Sequence, residues 1–244
     1  MGSLKKIIIP ELNEELAELV GVLLGDGTLT KYYFRIFGDS RYDKLYFQYL
    51  SKLINNLFGI NSNLTVDKRS NNKRNTLILC LSSRTTCNFL HIEYNLPYGD
   101  KIKGHAKIPE CILKDSNLIK ACIRGLIDTD GSLSRRDNYF CLVFNSNNTI
   151  LMNQVYYITK KLNIFSHKFN NEIGTNSWPN IIKFFKEVGS SNLSRIIRFN
   201  ECYVNKKHLY KEEILRYINL YKDIKLPFKL GPWSSGYELQ GKQS

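Results

Sequence analysis

Two aspartates, Asp26 and Asp130, each stand directly before a glycine at the end of an apolar stretch. The first stretch, 19–27, reads LVGVLLGDG, and the second, 123–131, reads IRGLIDTDG. If both are helices that pack together, their carboxylates lie close to each other and to the free carbonyl groups of the helix ends. Carboxylate, carbonyl and water oxygens suit Mg²⁺. The pair therefore predicts an oxygen-lined divalent-metal site.

Glycine and aspartate at these positions carry opposite signals. Glycine suits the left-handed turn that ends many helices, whereas aspartate is disfavoured by the negative end of the helix dipole. Small residues four apart, Gly21 with Gly25 and Gly125 with Thr129, predict that the two helices approach closely. A lone Asp-Gly is usually a simple turn, but its duplication in one context favours a metal site. The predicted ligands are the carboxylates of Asp26 and Asp130 and the backbone of Gly25 and Thr129.

The elements around each Asp-Gly pair repeat in the same order. Strand-like YFRIF at 33–37 matches YFCLVF at 139–144, and a helix-like segment follows each. The pattern predicts an α+β protein of two pseudo-symmetric αββαββα halves with the motif helices at the centre. Predicted strands cover 33–37, 63–68, 75–81, 139–144 and 167–173. We expect halves at 1–110 and 111–222, followed by a C-terminal tail at 223–244.

Charge and composition restrict the class of partner. The chain has 244 residues with 35 Lys and Arg against 22 Asp and Glu, a net charge of +13 that favours a nucleic-acid partner. The six cysteines form no CxxC pair and the four histidines are scattered, which argues against zinc and for a reducing compartment. No apolar run approaches the roughly 20 residues of a membrane helix. We expect an intracellular protein of the cytoplasm, nucleoid or an organelle that is neither secreted nor membrane-bound.

These residues resemble the LAGLIDADG homing endonuclease family. The stretch 123–131 follows the nine-residue signature closely, and 19–27 is a looser copy. The resemblance extends over about residues 10–220. It implies a monomer that mimics a two-fold dimer, with a saddle of two antiparallel sheets on double-stranded DNA. It also implies cutting of both strands of a long target site by metal-dependent phosphodiester hydrolysis.

The resemblance assigns roles to residues of both motifs. Asp26 and Asp130 match the metal-binding carboxylates, with Mg²⁺ as the expected cofactor and Mn²⁺ or Ca²⁺ able to occupy the same sites. Asp128 matches Leu24 in the first copy, which argues that it is not an essential ligand. Asp39 and Ser146 are weaker candidates for positioning water.

A basic residue near each metal centre is also implied. In the first half Lys101, Lys103 and Lys107 all fit, and the sequence does not choose among them. In the second half a lysine is missing, so Arg195 or Arg198 takes the role. Arginine stabilises phosphate charge but carries protons poorly, so the two halves are expected to form an unequal pair of active sites, and the sequence does not give the relative rates of cutting. Simple anchoring of a phosphate is the alternative role for these basic residues.

DNA contacts are expected on the strands and their turns. Alternate strand residues face the duplex, so about half of any candidate set points away. The candidates are Lys31, Tyr33, Arg35, Lys68, Arg69, Lys73 and Arg74 in the first half, and Arg135, Arg136, Asn138, Lys168 and Asn170 in the second. The alternatives to cleavage are an RNA splicing maturase and a non-cleaving DNA-binding protein with the same fold.

Overall fold

The computed structural model describes residues 7–67, 75–136 and 138–220. Its first half contains three helices and a four-stranded sheet in the predicted order. Asn13 caps the first helix, because its side chain accepts a hydrogen bond from the backbone N–H of Leu16 at 2.9 Å. The elements are α1 (Glu14–Leu24), β1 (Gly27–Leu29), β2 (Tyr33–Asp39), α2 (Lys44–Phe58), β3 (Asn63–Val66), β4 (Thr76–Ser82) and α3 (Arg84–Tyr94).

The second half repeats this order after a short 3₁₀ turn at Ile112–Lys114. Asp115 caps its first helix by accepting from the backbone N–H groups of Asn117 and Leu118. The elements are α4 (Ser116–Asp130), β5 (Gly131–Arg136), β6 (Tyr139–Asn145), α5 (Thr149–Lys161), β7 (His167–Phe169), β8 (Glu172–Thr175), α6 (Trp178–Glu187), α7 (Leu193–Val204) and α8 (Lys211–Leu220).

Both sheets are antiparallel and have equivalent strand orders, β1-β2-β4-β3 and β5-β6-β8-β7. In the first sheet Phe34 pairs with Leu81 and Ile36 with Leu79, and these side chains are buried in the core. The face that carries Tyr33 and Arg35 points away from that core, because successive strand residues alternate. We call this side of each sheet its outer face. The predicted fold of two pseudo-symmetric α+β halves is confirmed.

The helices α1 and α4 pack against each other at the centre through their glycines. A Cβ atom on Gly21 would stand 2.1 Å from the carbonyl oxygen of Cys122, and one on Gly125 would stand 2.3 Å from that of Glu18. Both contacts are with backbone, which side-chain rotation cannot relieve. The close approach predicted from the small residues is therefore present.

A buried ion pair joins the same two helices. Arg124 of α4 donates through Nε to Glu18 of α1 at 2.8 Å, and the Glu18 side chain is only 2 % exposed. The hydroxyl of Tyr49 donates to the other carboxylate oxygen of Glu18 at 3.0 Å. The corresponding positions of the opposite helices are Cys122 and Val20, so this bridge has no symmetric copy.

Three local expectations were wrong. The predicted strand 167–173 is divided into β7 and β8, because Asn170 adopts a left-handed backbone with φ of 49°. The second half ends in three helices rather than one. Neither Gly27 nor Gly131 is left-handed: Gly27 begins β1, and Gly131 is extended, with φ −86° and ψ 165°. Its small size matters instead, since a Cβ there would stand 2.5 Å from the carbonyl oxygen of Ile127.

Across the described ranges, every helix is too short or too polar to cross a lipid bilayer.

Candidate metal centre and nucleic-acid interface

The two motif aspartates lie together at one end of the central helix pair. Asp130 is the last residue of α4, and Asp26 follows α1 by two residues. A Cβ on Gly25, next to Asp26, would stand 3.3 Å from a carboxylate oxygen of Asp130. The two aspartates therefore lie close together at the end of the helix pair, as the sequence predicts.

This convergence disfavours negative charge at the site. Burial raises the pKa of Asp130 to about 7, and the nearby charge of Asp26 adds to the effect. Asp26 is exposed to solvent, but the protein atoms around it still displace enough water to raise the pKa of its carboxyl. Because burial and mutual repulsion destabilise the two negative charges, the pair favours a nearby cation.

Two basic side chains contact the ends of the motif helices in matching ways. In the first half, Lys101 Nζ donates to the carbonyl oxygen of Leu24 at 3.0 Å and also to that of Gly25. In the second half, Arg195 donates to the carbonyl oxygens of the corresponding residues, at 3.1 Å to Asp128 and 3.2 Å to Thr129. The two contacts are pseudo-symmetric although one comes from a loop and the other from α7.

Lys101 is held between protein groups rather than in free solvent. Burial lowers the pKa of its ammonium group, while the charges of Asp130 and Asp26 oppose that shift. The charges of Lys101 and Arg195 in turn lower the pKa values of both aspartates, against the larger effect of burial. Each basic residue therefore lies within electrostatic reach of both carboxylates.

The other three basic candidates are exposed or bond to other groups, although Arg198 lines a cavity beside Asp26. Lys103 is exposed, and Lys107 pairs with Glu110 at 3.5 Å. Arg198 donates through Nε to the carbonyl oxygen of Leu209 at 3.0 Å, which attaches α7 to the segment before α8. Burial lowers the pKa of Arg198 to about 10. The geometry thus favours Lys101 and Arg195 among the five candidates.

Asp128 accepts several hydrogen bonds from protein groups, although the sequence predicts only that it is not an essential metal ligand. Its carboxylate accepts from Ser190 Oγ at 2.5 Å, from the backbone N–H of Ser191 at 2.6 Å and from that of Asn192 at 3.2 Å. It also forms an ion pair with Arg195 at 3.7 Å. Burial raises the pKa of this carboxyl to about 6. The loop that supplies these donors is distant in sequence, so no local pattern could have revealed the contact.

A cavity of about 400 Å³ lies beside Asp26. Arg195 and Asp128 line the cavity, and so do Ile214 and Leu215 from α8. The hydroxyl of Tyr46 is buried there without a hydrogen-bond partner among the described residues. The helices α7 and α8, which the repeat pattern did not predict, thus form part of the wall of the candidate site.

Asp39 also lines this cavity, but its carboxylate is hydrogen-bonded to a nearby arginine. Arg41 donates to it through two nitrogens at 3.0 and 2.6 Å. These bonds lower the pKa of Asp39. Ser146 accepts a hydrogen bond from the backbone N–H of Asn148 at 3.1 Å. Their assignment to water positioning remains a prediction.

The outer face of the first sheet presents polar and aromatic candidates for DNA contact. Tyr33 and Arg35 share this face, and the Arg35 guanidinium lies 4.4 Å from the centre of the Tyr33 ring. Lys31 is exposed between β1 and β2. The basic turn with Lys68, Arg69, Lys73 and Arg74 falls outside the described residues.

The second sheet is less basic on its outer face. Arg136 lies on that face, where Glu172 binds it through two hydrogen bonds of 3.0 and 2.6 Å. Asn138 and Asn170 are exposed in the turns. The strand register places Arg135 on the side of Leu133 and Lys168 on the side of Ile173, both core residues. These two side chains point away from the outer face, as alternation requires of part of the candidate set.

The donor set suits a hard divalent cation. Within the described ranges, no three His, Cys, Asp or Glu side chains gather at one point. Mg²⁺ is often held by one or two carboxylates, with water and substrate phosphate completing the shell. The carbonyl oxygens of Gly25 and Thr129 each accept from a basic side chain, and a carbonyl oxygen has a second lone pair. The residues present fit such an ion.

Comparison with known proteins identifies the class of fold. Residues 117–215 match the family model of the LAGLIDADG-like domain. The matched range begins in α4 and ends in α8, and it includes the second motif, so it agrees with the resemblance seen there.

Solved structures with this fold resemble the larger part of the chain. The N-terminal LAGLIDADG domain of DUF199/WhiA is 17% identical, with 72% of this chain and 81% of that chain covered and a TM-score of 0.50. Full-length DUF199/WhiA from Thermatoga maritima is 15% identical, with coverages of 87% and 68% and a TM-score of 0.52. I-DmoI in complex with DNA and Mn is 18% identical, with coverages of 72% and 96% and a TM-score of 0.49. At these identities the similarity concerns the fold.

Proposed function

We propose that the chain is a homing-type endonuclease that cuts both strands of a long double-stranded DNA target by metal-dependent phosphodiester hydrolysis. The observation that carries the proposal is the convergence of Asp26 and Asp130, each with a basic side chain on the adjoining carbonyl groups. A purely structural helix pair has no need of two charge-crowded carboxylates at a solvent-accessible end.

The proposed ligands of Mg²⁺, or of Mn²⁺ or Ca²⁺ in its place, are Asp26 and Asp130 with the carbonyl groups of Gly25 and Thr129. Such an ion supplies Lewis-acid catalysis by polarising the phosphate and stabilising the leaving oxygen. Lys101 and Arg195 neutralise the charge that develops on the two scissile phosphates. No protein nucleophile is required in this scheme, because water attacks the phosphorus.

The proposed DNA surface comprises the outer faces of both sheets, which flank the motif ends. Tyr33 and Arg35 contact the duplex from the first sheet, and Arg136 does so from the second. We propose that residues 1–110 and 111–222 form the two halves of one monomer, each serving about half of the target site. The net charge of +13 supports a polyanionic partner.

The proposal is tested by incubating the full chain with Mg²⁺ and a randomised duplex library and sequencing the cut ends. We expect recurrent double-strand breaks at one long site, loss of cutting in EDTA, and loss of cutting in Asp130→Asn. The matched control is Asp115→Asn at the other end of the same helix, which retains cutting. If Asp130→Asn cuts like the unsubstituted protein, the proposed mechanism is wrong.

Binding without cutting would point to the non-cleaving alternatives. Selective retention of a DNA duplex that stays intact in both Mg²⁺ and Mn²⁺ would identify a DNA-binding protein. Preferential retention of folded intron RNA over duplex DNA would identify a maturase.

A further inference from the structure

We infer that Asp128 is a positioning residue that fixes Arg195 at the C-terminal end of α4, and that the first half places Lys101 at the end of α1 with a leucine, Leu24, at the position equivalent to Asp128. The inference rests on the proposed function, since it concerns how one of the two proposed centres is assembled. Asp128 touches neither substrate nor reacting atoms in this account, and it acts through Arg195.

The contacts of Asp128 converge on the segment that begins α7. Three donors from Ser190, Ser191 and Asn192 meet its carboxylate, at 2.5, 2.6 and 3.2 Å. Asn192 is itself the N-cap of α7, where its side chain accepts from the backbone N–H of Ser194 at 3.1 Å. One buried carboxylate on α4 therefore fixes the first turn of α7.

Arg195 lies in that first turn, and its side chain contacts Asp128. Its guanidinium donates to the Asp128 carbonyl oxygen at 3.1 and 3.3 Å and lies 3.7 Å from the Asp128 carboxylate. The side chain of Asp128 is 1 % exposed and that of Arg195 is 12 % exposed. With little solvent to compete, these contacts set the direction of the guanidinium towards Thr129 and the motif end.

In the first half, Lys101 is positioned by a different set of contacts. Leu24, which corresponds to Asp128, is a buried apolar residue. Lys101 is carried by a turn that Asp100 stabilises, because the Asp100 side chain accepts from the backbone N–H groups of Ile102 at 2.8 Å and Lys103 at 3.2 Å. The loop is joined to the sheet where Gly99 N–H donates to the carbonyl oxygen of Leu29 at 2.8 Å.

This difference predicts that the effect of losing Asp128 is confined to one strand. Removing a partner that orients an active-site group lowers activity by about 10- to 100-fold. In Asp128→Asn we expect a loss of that size for the strand served by Arg195, and a change of less than about threefold for the other strand. Nicked duplex should accumulate. Ser190→Ala removes one donor to Asp128 and should show the same strand bias to a smaller degree.

The test is a single-turnover cleavage assay with Mg²⁺ in which each strand of the duplex recovered from the randomised library is labelled separately. It compares Asp128→Asn, Arg195→Ala and the double variant. If Asp128 acts through Arg195, the double variant matches Arg195→Ala alone. The control is Glu18→Gln, another buried carboxylate on the helix pair, which should show no strand bias. Equal slowing of both strands in Asp128→Asn, or additive losses in the double variant, would overturn the inference.

A second readout is independent of cleavage. Backbone hydrogen exchange at Ser191 and Asn192 should become faster in Asp128→Asn and Ser190→Ala while exchange in the loop at 99–107 stays unchanged. Unchanged exchange at Ser191 and Asn192 would overturn the positioning role. If the unsubstituted protein binds duplex DNA but never cuts it, the proposed function fails, and the exchange result decides the inference about Asp128 on its own.

Discussion

At the C-terminal ends of both motif helices, α1 and α4, equivalent backbone carbonyl groups accept hydrogen bonds from a basic side chain. The two basic side chains come from different elements of the fold. Lys101 reaches the carbonyl oxygens of Leu24 and Gly25 from a loop. Arg195 reaches the corresponding oxygens of Asp128 and Thr129 from a helix. The backbone arrangement is thus symmetric while the side-chain chemistry differs. Two divergent half-sequences can keep one geometry as long as each places a cation at the same carbonyl groups.

The two sheets differ in a parallel manner. On the outer face of the first sheet, Arg35 stacks on Tyr33. On the second, Arg136 is held by Glu172 through two hydrogen bonds. A guanidinium that is already paired with a carboxylate attracts a phosphate less strongly, because the carboxylate neutralises its charge and occupies its donors. The two halves are therefore expected to contribute unequally both to cutting and to DNA affinity.

The largest expected effect concerns the ion pair between Glu18 and Arg124, which joins α1 to α4 and has no symmetric copy at the equivalent positions. Glu18→Ala leaves Arg124 buried without its carboxylate, and loss of one partner of such a pair destabilises a protein by about 3–5 kcal/mol. Chemical denaturation measures the free energy of unfolding. The control is Glu14→Ala on the exposed start of the same helix, where we expect less than about 0.5 kcal/mol. A similar small change in Glu18→Ala would show that the bridge contributes little.

The next effect separates the two motif ends. Lys101→Met keeps an unbranched side chain that is one atom shorter, but it removes the cation that contacts Leu24 and Gly25. Loss of one preorganised electrostatic group lowers the rate by about 100-fold, which is roughly 2.7 kcal/mol. Strand-resolved cutting should show this loss mainly on the strand opposite to the one affected by Arg195→Ala. Lys103→Met is the matched control. If both lysine variants cut both strands normally, Lys101 is not the basic partner.

A third effect tests how much the helix pair depends on backbone contact. Gly125→Ala places a Cβ 2.3 Å from the carbonyl oxygen of Glu18, so α1 and α4 must move apart. We expect a loss of roughly 2 kcal/mol in the free energy of unfolding, typical of overpacking. Gly25→Ala meets mainly the side chain of Thr129, at 2.0 Å from its Oγ1, and should lose less. The opposite ranking would contradict the packing described for the helix pair.

The smallest effect compares the two outer faces. Arg35→Ala should weaken binding of the target duplex by about 1–3 kcal/mol if Arg35 reads a base. Arg136→Ala should weaken it less, because Glu172 already neutralises that guanidinium. Fluorescence titration at several salt concentrations measures both. A greater loss in Arg136→Ala would mean that the Glu172 pair breaks when DNA binds.

Much of this arrangement could be predicted from the sequence because it repeats. Glycine spacing indicated the close helix pair, and the doubled Asp-Gly pattern indicated where Asp26 and Asp130 meet. The role of Gly131 was misjudged, since the pattern could not distinguish a left-handed turn from a contact with the preceding helix. The contacts of Asp128 depend on a loop more than sixty residues later, and only tertiary structure brings them together.

Metal-dependent cutting of both strands is tested most directly by a strand-resolved time course of the unsubstituted protein, with Mg²⁺ or with EDTA, on the duplex recovered from the randomised library. Both strands should be cut in Mg²⁺, one faster than the other, with a nicked intermediate, and neither should be cut in EDTA. A duplex that is bound but remains intact in Mg²⁺, or that is cut equally in EDTA, would contradict this prediction.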